Sequence, residues 1–179
     1  SSENDKILKI AKKLGFLVTK RNSALSKQYV SDFRIIKHMI NFIKMNKLCA
    51  DYVVYLQPTS PIRKKDFLIK ALKEIIMKQL DGGWSISKMN IKYHPLKVLK
   101  LKEKYIRLYD QDGLKIHARQ QLGNVYIRNG NFYIFDTKKL MKSKTIFMKK
   151  IKGFITNFEN VNIDSLEDLK KCQKILNKN

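Results

Sequence analysis

Apolar residues recur along this chain with two different spacings, and the alternation between them predicts its elements. Ile7, Leu8, Ala11 and Leu14 share one face at helical spacing. With Ser2 and Asp5 in front and Gly15 behind, they predict a capped first helix closed by a glycine. A short strand over residues 16–18 is expected next. Ser31, followed by Ile35, Ile36, Met39, Ile40 and Ile43, predicts a second helix ending near Asn46. The period then changes. Residues 51–56, Asp-Tyr-Val-Val-Tyr-Leu, are β-branched and aromatic without alternation, the pattern of a strand buried on both faces of a parallel sheet.

That strand runs into Gln57-Pro-Thr-Ser-Pro61, where two prolines stop both strand and helix and a loop must begin. Asp66 and Phe67 open a third helix carrying Leu68, Ala71, Leu72, Ile75 and Ile76, and Gly82-Gly83 precede a strand over 84–87. Helices alternating with strands in this way predict an α/β fold with right-handed crossovers. Residues 90–123 break the rhythm with short β-like pieces at 96–101 and 105–109 and a turn signal at Gln111-Asp-Gly113, so they read as an inserted β-rich arm. Strands are then expected at 125–127 and 132–135, on either side of Arg128-Asn-Gly130, and at 154–158. Ser165 caps a last helix through Leu176. The chain, 1–179, reads as one α/β domain with an excursion.

Composition narrows the functional classes. The chain has 38 Lys and Arg against 15 Asp and Glu, a formal charge of +23, which first suggests nucleic acid or an anionic membrane. Only Arg21, Arg34, Arg63, Arg107, Arg119 and Arg128 are arginines, whereas base-edge and bidentate phosphate recognition draws on arginine. The excess is lysine, spread throughout the chain alongside abundant Ile and Asn, which reads as compositional bias rather than a binding stripe. No nucleic-acid partner is expected. Cys49 and Cys172 stand far apart without metal-ligand spacing, so neither a disulfide framework nor a zinc site is favoured. The longest apolar runs fall far short of the roughly 20 residues of a membrane span, and no signal peptide opens the chain. A protein of the reducing cytoplasm, with no membrane partner, is expected.

Candidate chemistry sits in two loops. In open α/β sheets ligands bind beyond the carboxyl ends of the strands, which draws attention to Gln57-Pro-Thr-Ser-Pro61. Its two prolines leave little entropy to lose when the Gln amide and the hydroxyls hold a polar ligand. The same loop also reads as an ordinary tight connection. The second candidate is Asn162-Ile-Asp164, where a carboxylate could hold Mg²⁺; on composition alone a helix cap made by Ser165 and Asp168 is the stronger explanation of its acidic surroundings. His38, His94 and His117 are scattered, no triad is visible, and no glycine-rich phosphate loop occurs.

Five segments in order then carry a resemblance: Leu56-Gln-Pro-Thr-Ser-Pro-Ile62, His94-Pro-Leu-Lys97, Arg119-Gln-Gln-Leu122, Asn129-Gly-Asn-Phe-Tyr-Ile134 and Asn162-Ile-Asp-Ser-Leu-Glu-Asp168. Together they resemble the acylneuraminate cytidylyltransferases, the CMP-sialic acid synthetases. The loop reads QPTSP, unlike the QGDEP type of the related CMP-Kdo synthetases. The resemblance implies a Rossmann-like nucleotidyltransferase sheet with an inserted β-rich dimerisation arm over 90–123. It also implies transfer of CMP from CTP to a nine-carbon 2-keto sugar acid with release of pyrophosphate, dependence on Mg²⁺, and a homodimer.

Carried over residue by residue, Arg21 and Gln57 would contact the cytidine part of CTP. Lys97 and Arg119 would come from the dimer mate to the sugar-acid carboxylate, Tyr133 and Phe147 would line the sugar pocket, and Asp164 would be the catalytic metal ligand. Two departures accompany the likeness. Asn162 stands where the family usually has the first Asp of Asp-x-Asp, giving a neutral ligand in place of a charged one. The family's early ARGGSKxxxxKN loop, which binds the triphosphate, has no counterpart in these residues. The sequence therefore predicts the greater part of such an enzyme, one that does not turn over CTP without that segment. The alternative is a non-catalytic dimeric binding or regulatory protein derived from it.

Overall fold

The computed structural model describes residues 1–177. Its helices are α1 (Asp5–Lys13), α2 (Asp32–Met45), α3 (Lys65–Met77), α4 (Thr137–Ser143) and α5 (Leu166–Leu176). Its strands are β1 (Tyr52–Tyr55), β2 (Gly82–Lys88), β3 (Leu99–Lys102), β4 (Tyr105–Leu108), β5 (Tyr126–Asp136) and β6 (Ile151–Ile155). The order in the four-stranded sheet is β1-β5-β2-β6, and β3 pairs with β4 in a separate antiparallel sheet. Hydrogen bonds from Asp136 N–H to the Asp81 carbonyl and from Met89 N–H to the Val125 carbonyl run β5 against β2. Those from Asp81 N–H to Lys150 and from Thr156 N–H to Ile86 make β6 parallel to β2. The result is a mixed α/β architecture with a parallel pair, compatible with a Rossmann-like sheet.

The chain divides into two compact units. The first comprises Ser1–Tyr55, Leu72–Gly83 and Ile134–Lys152. Its core is mainly aliphatic, with one phenylalanine: Ile36 and Ile40 from α2, Ile75 from α3, Ile134 and Phe135 from β5, and Leu140 from α4 are all buried. Asn4, not Ser2, caps α1, its side-chain oxygen accepting from Lys6 N–H and Ile7 N–H. Ser2 is taken instead by a parallel bridge to Lys20, and its hydroxyl oxygen accepts from Asn4 N–H. Residues 16–18 form no strand, since this bridge is the ladder contact of that region. Gly15 ends the helix at φ +82, where a side chain would be strained. β1 is half-buried along its length rather than closed on both faces, because it lies at the end of the described strand order.

The second unit comprises Leu56–Ala71, Trp84–Tyr133 and the chain from Gly153 on. Its core is aromatic. Phe67 meets Phe132 and Phe158, each at 5.6 Å between ring centres, and Phe132 meets Phe154 at 6.0 Å. α5 starts where the sequence predicts, with Ser165 Oγ accepting from Asp168 N–H and the Asp168 carboxylate accepting from Ser165 N–H. β5 is one continuous strand and not two strands around a turn. Gly130 sits inside it at φ +70, bending the strand locally without reversing it. The arm holds one hairpin, β3 and β4, with short 3₁₀ turns before and after it. The strand expected at 154–158 lies earlier, as β6.

Candidate functional site

The loop after β1 and the bend in β5 fit together through glycine. A side-chain carbon at Gly130 would lie 2.4 Å from Gln57 Oε1 and 2.6 Å from Ser60 Oγ, so the absence of one is what lets the loop lie on the strand. Ser60 is fully buried, and its hydroxyl lies 3.1 Å from both the Asn129 carbonyl and Asn162 Oδ1. Asn131, also buried, donates from its amide to the Ile62 carbonyl. Asn160 donates to the Asn129 carbonyl at 2.8 Å, and Asn129 donates to Ser87 Oγ at 2.9 Å and Thr156 Oγ1 at 3.0 Å. Asn131 and Asn160 thus satisfy backbone carbonyls that the loop and the bent strand leave outside the ladder, while Asn129 and Asn162 tie in the neighbouring side chains.

Arg63 closes the arrangement. Its Nε donates to the Asn131 carbonyl at 2.8 Å while a terminal nitrogen donates to the Gln57 carbonyl, so one guanidinium spans loop and strand. Partial burial pulls its pKa below the ordinary arginine value. This residue and the asparagine cluster were not among the site residues expected from the sequence. The signal available was the position of Arg63, two residues after the second proline of the loop.

At the other side of the loop, Ile163 N–H donates to the Thr59 carbonyl at 2.8 Å, which carries Asn162 and Asp164 to the cluster. Asn162 Nδ2 donates to Asp164 Oδ2 at 2.7 Å. Asp168 faces the helix start instead: the Ser165 hydroxyl, with Asp164 N–H and Ser165 N–H, holds its carboxyl below the usual carboxylate range. The cap is observed: Asp168 caps α5 together with Ser165, and Asp164 is exposed and bonded to the neutral Asn162 amide.

Lys97 and Arg119 come together within the arm. Both line an open cavity of about 350 Å³ whose walls include Leu96, Leu108, Ile116 and Leu122. The turn bearing Lys97 is fixed by buried His94, whose Nδ1 accepts from Leu96 N–H at 3.2 Å, and by Pro95. The turn bearing Arg119 is fixed by Gln121, whose side-chain oxygen accepts from His117 N–H and Ala118 N–H, each at 2.7 Å. Two cations above an apolar floor suit a carboxylate on a largely uncharged body.

Tyr133 is buried with its ring edge-on to Trp84 at 5.8 Å, and the Arg128 guanidinium lies 5.5 Å from the Trp84 ring centre. Arg21 and Phe147 belong to the first unit. Arg21 pairs with Glu3 at 2.6 Å beside Ser26, and Phe147 is 65% exposed.

No family model matches the chain. A pseudaminic acid cytidylyltransferase from Campylobacter jejuni subsp. jejuni serotype O:2 is 26% identical over 181 residues, covering 99% of this chain and 76% of the relative. The chain is thus similar along nearly its whole length to a cytidylyltransferase. The similarity runs through loop, arm and carboxylate segment alike, so all the cluster residues fall within it. Among the described residues no helix is long and apolar enough to cross a membrane, and no group of three or more His, Cys, Asp or Glu is placed to hold a metal ion.

Proposed function

We propose that the protein is a cytidylyltransferase that moves CMP from CTP to a nine-carbon 2-keto sugar acid of the pseudaminic acid type. The observation that carries this reading is the assembly of Gln57, Ser60, Asn162 and Asp164 around Gly130, in a chain similar end to end to a pseudaminic acid cytidylyltransferase. In the reaction, the sugar's anomeric hydroxyl oxygen attacks the α-phosphorus. A new P–O bond forms, the bond to the β,γ-phosphates breaks, and pyrophosphate and the hydroxyl proton leave. Such a transfer depends on alignment and on neutralising phosphate charge more than on covalent participation by the protein.

Gln57, held over Gly130, presents an amide able both to donate and to accept, as recognition of the cytosine edge requires. Asp164 would hold Mg²⁺, which supplies charge neutralisation at the phosphates. One carboxylate suffices for that ion when substrate phosphates and water complete its shell. Lys97 and Arg119 take the sugar-acid carboxylate, Arg119 as a planar fork and Lys97 as a point charge. Tyr133 and Phe147 are assigned to the sugar, and Arg21 to the cytidine, on the resemblance alone.

The fold that serves this chemistry is a Rossmann-like nucleotidyltransferase sheet with the arm as a dimer contact. In support, the register Leu99 opposite Leu108 and Leu101 opposite Ile106 puts four aliphatic side chains on one face of the hairpin, with Leu99, Leu101 and Ile106 exposed. A second copy of the chain would cover that face and deliver Lys97 and Arg119 to its mate.

The test is pyrophosphate release and CMP-sugar formation by the protein purified as its gene encodes it, with CTP, Mg²⁺ and a panel of pseudaminic, legionaminic and N-acetylneuraminic acids. Turnover is expected with pseudaminic acid first. Arg119→Ala should raise the KM for the sugar acid at least about tenfold, the scale of a lost charge-assisted bond, with the KM for CTP unchanged. CTP binding without pyrophosphate release for any sugar acid refutes the enzyme and leaves the non-catalytic binding protein.

A further inference from the structure

The carboxylate assigned to the cation is already oriented by a neutral neighbour. Asn162 Nδ2 donates to Asp164 Oδ2 at 2.7 Å, and Asn162 Oδ1 lies 3.1 Å from the buried Ser60 hydroxyl, which in turn reaches the Asn129 carbonyl. The backbone between them is fixed independently, by Ile163 N–H on the Thr59 carbonyl. A carboxamide can serve both neighbours because it carries an acceptor and a donor on opposite atoms. A carboxylate cannot. An aspartate at 162 could still accept from Ser60, but its other oxygen would face Asp164 Oδ2 at the distance now occupied by a hydrogen bond. Two ionised carboxylates so close repel, and one of them takes up a proton or the pair takes up a cation.

We propose that Asn162 is a positioning residue that orients Asp164 in the absence of any cation. The divalent ion then enters with the nucleotide rather than before it, held by one carboxylate, the nucleotide's phosphates and water. This deepens the cytidylyltransferase reading and rests on it for the nucleotide. The orientation of Asp164 without metal does not depend on it. The chain differs here from an Asp-x-Asp arrangement in order of assembly: two carboxylates demand an ion to sit together, whereas an amide and a carboxylate sit together alone.

The experiment is Mn²⁺ binding to the chain, read by the EPR signal of the free ion, with and without CTP. Thermal melting in Mg²⁺ is read in parallel. The wild-type chain is expected to bind Mn²⁺ weakly alone and at least about tenfold more tightly with CTP, and to melt at the same temperature with and without Mg²⁺. Asn162→Asp should bind Mn²⁺ alone at least about tenfold more tightly than wild type and should gain melting temperature on adding Mg²⁺. Asp164→Asn should abolish both responses.

Wild type and Asn162→Asp binding Mn²⁺ alone with equal affinity would overturn the proposal. If Asn162→Asp does not fold, Asn162→Ala decides. It removes the bridge without adding charge, so Mn²⁺ affinity in the presence of CTP should fall about tenfold, and an unchanged value refutes the positioning role. Failure of sugar transfer with this metal pattern intact counts against the reaction alone. Turnover by an enzyme whose wild type binds Mn²⁺ tightly without nucleotide counts against Asn162 alone.

Discussion

Gly130→Ala tests the central joint of the site, and its cost can be worked from the structure. Gly130 has φ +70, and an added carbon would stand 2.4 Å from Gln57 Oε1 and 2.6 Å from Ser60 Oγ. The left-handed backbone costs alanine about 1–2 kcal/mol. The Gln57 amide can swing away cheaply, since it is the far end of a flexible side chain. Ser60 cannot, because it is fully buried and bonded to Asn129 and Asn162. Displacing it leaves buried polar groups unmatched at about 1–3 kcal/mol.

The expected loss is therefore about 2–5 kcal/mol. Gly15→Ala is the control: it has φ +82 but nothing within 4 Å of the added carbon, so only the backbone component of about 1–2 kcal/mol applies. Urea unfolding followed by circular dichroism gives both values, and CTP affinity should fall in Gly130→Ala alone. A Gly130→Ala loss no larger than that of Gly15→Ala, with CTP affinity retained, refutes the claim that the loop rests on this position.

Two further outcomes follow from charge and from apolar surface. The Glu74 carboxyl is held at about 2 by the Lys152 ammonium and then by Lys78, so the folded state binds fewer protons than the unfolded chain, whose carboxyl has a pKa of 4.5. This contribution is present above pH 4.5 and is lost as pH falls toward 2, and Glu74→Gln should flatten that part of the stability profile in urea titrations. Replacing Leu101 and Ile106 together by Lys should turn a dimer into a monomer in sedimentation velocity, since each exposed aliphatic side chain stands to gain about 1.5–3 kcal/mol on burial. A wild-type chain that sediments as a monomer at micromolar concentration removes the basis for a dimeric arm.

Where the sequence was legible, a single local signal had no competitor. Ser165 with Asp168 could only begin a helix, and it does so with both reciprocal bonds in place. Ser31 and Asn46 bound α2 as the periodicity predicts, although Ser31 makes no side-chain cap bond. The Gln57-Pro-Thr-Ser-Pro61 loop is where the prolines require it. Asn129-Gly130, by contrast, carries two meanings: the pair is among the strongest hairpin-turn signals, yet the same freedom of φ lets a continuous strand bend to admit a loop. Only the partner decides between them, and Gln57 and Ser60 lie some 70 residues away in sequence. The role of Arg63 is hidden in the sequence for the same reason. Its two carbonyl partners, at Gln57 and Asn131, become neighbours only on folding.

The distribution of partners among the carboxylates sharpens what the formal charge of +23 means for the site. Asp5, Glu74, Asp81, Asp112 and Glu159 are each engaged by a lysine. At these five positions the lysine competes with any metal ion for the carboxylate oxygens. Asp164 is bonded instead to the Asn162 amide, which Ser60 joins to the Asn129 carbonyl, while its own N–H meets the Asp168 carboxylate. Neutral donors fix the geometry of the carboxylate without cancelling its charge, which leaves it able to attract a divalent ion that arrives with phosphates. In the proposed cytidylyltransferase it is this amide partner, more than the charge of the whole chain, that suits Asp164 to that ion.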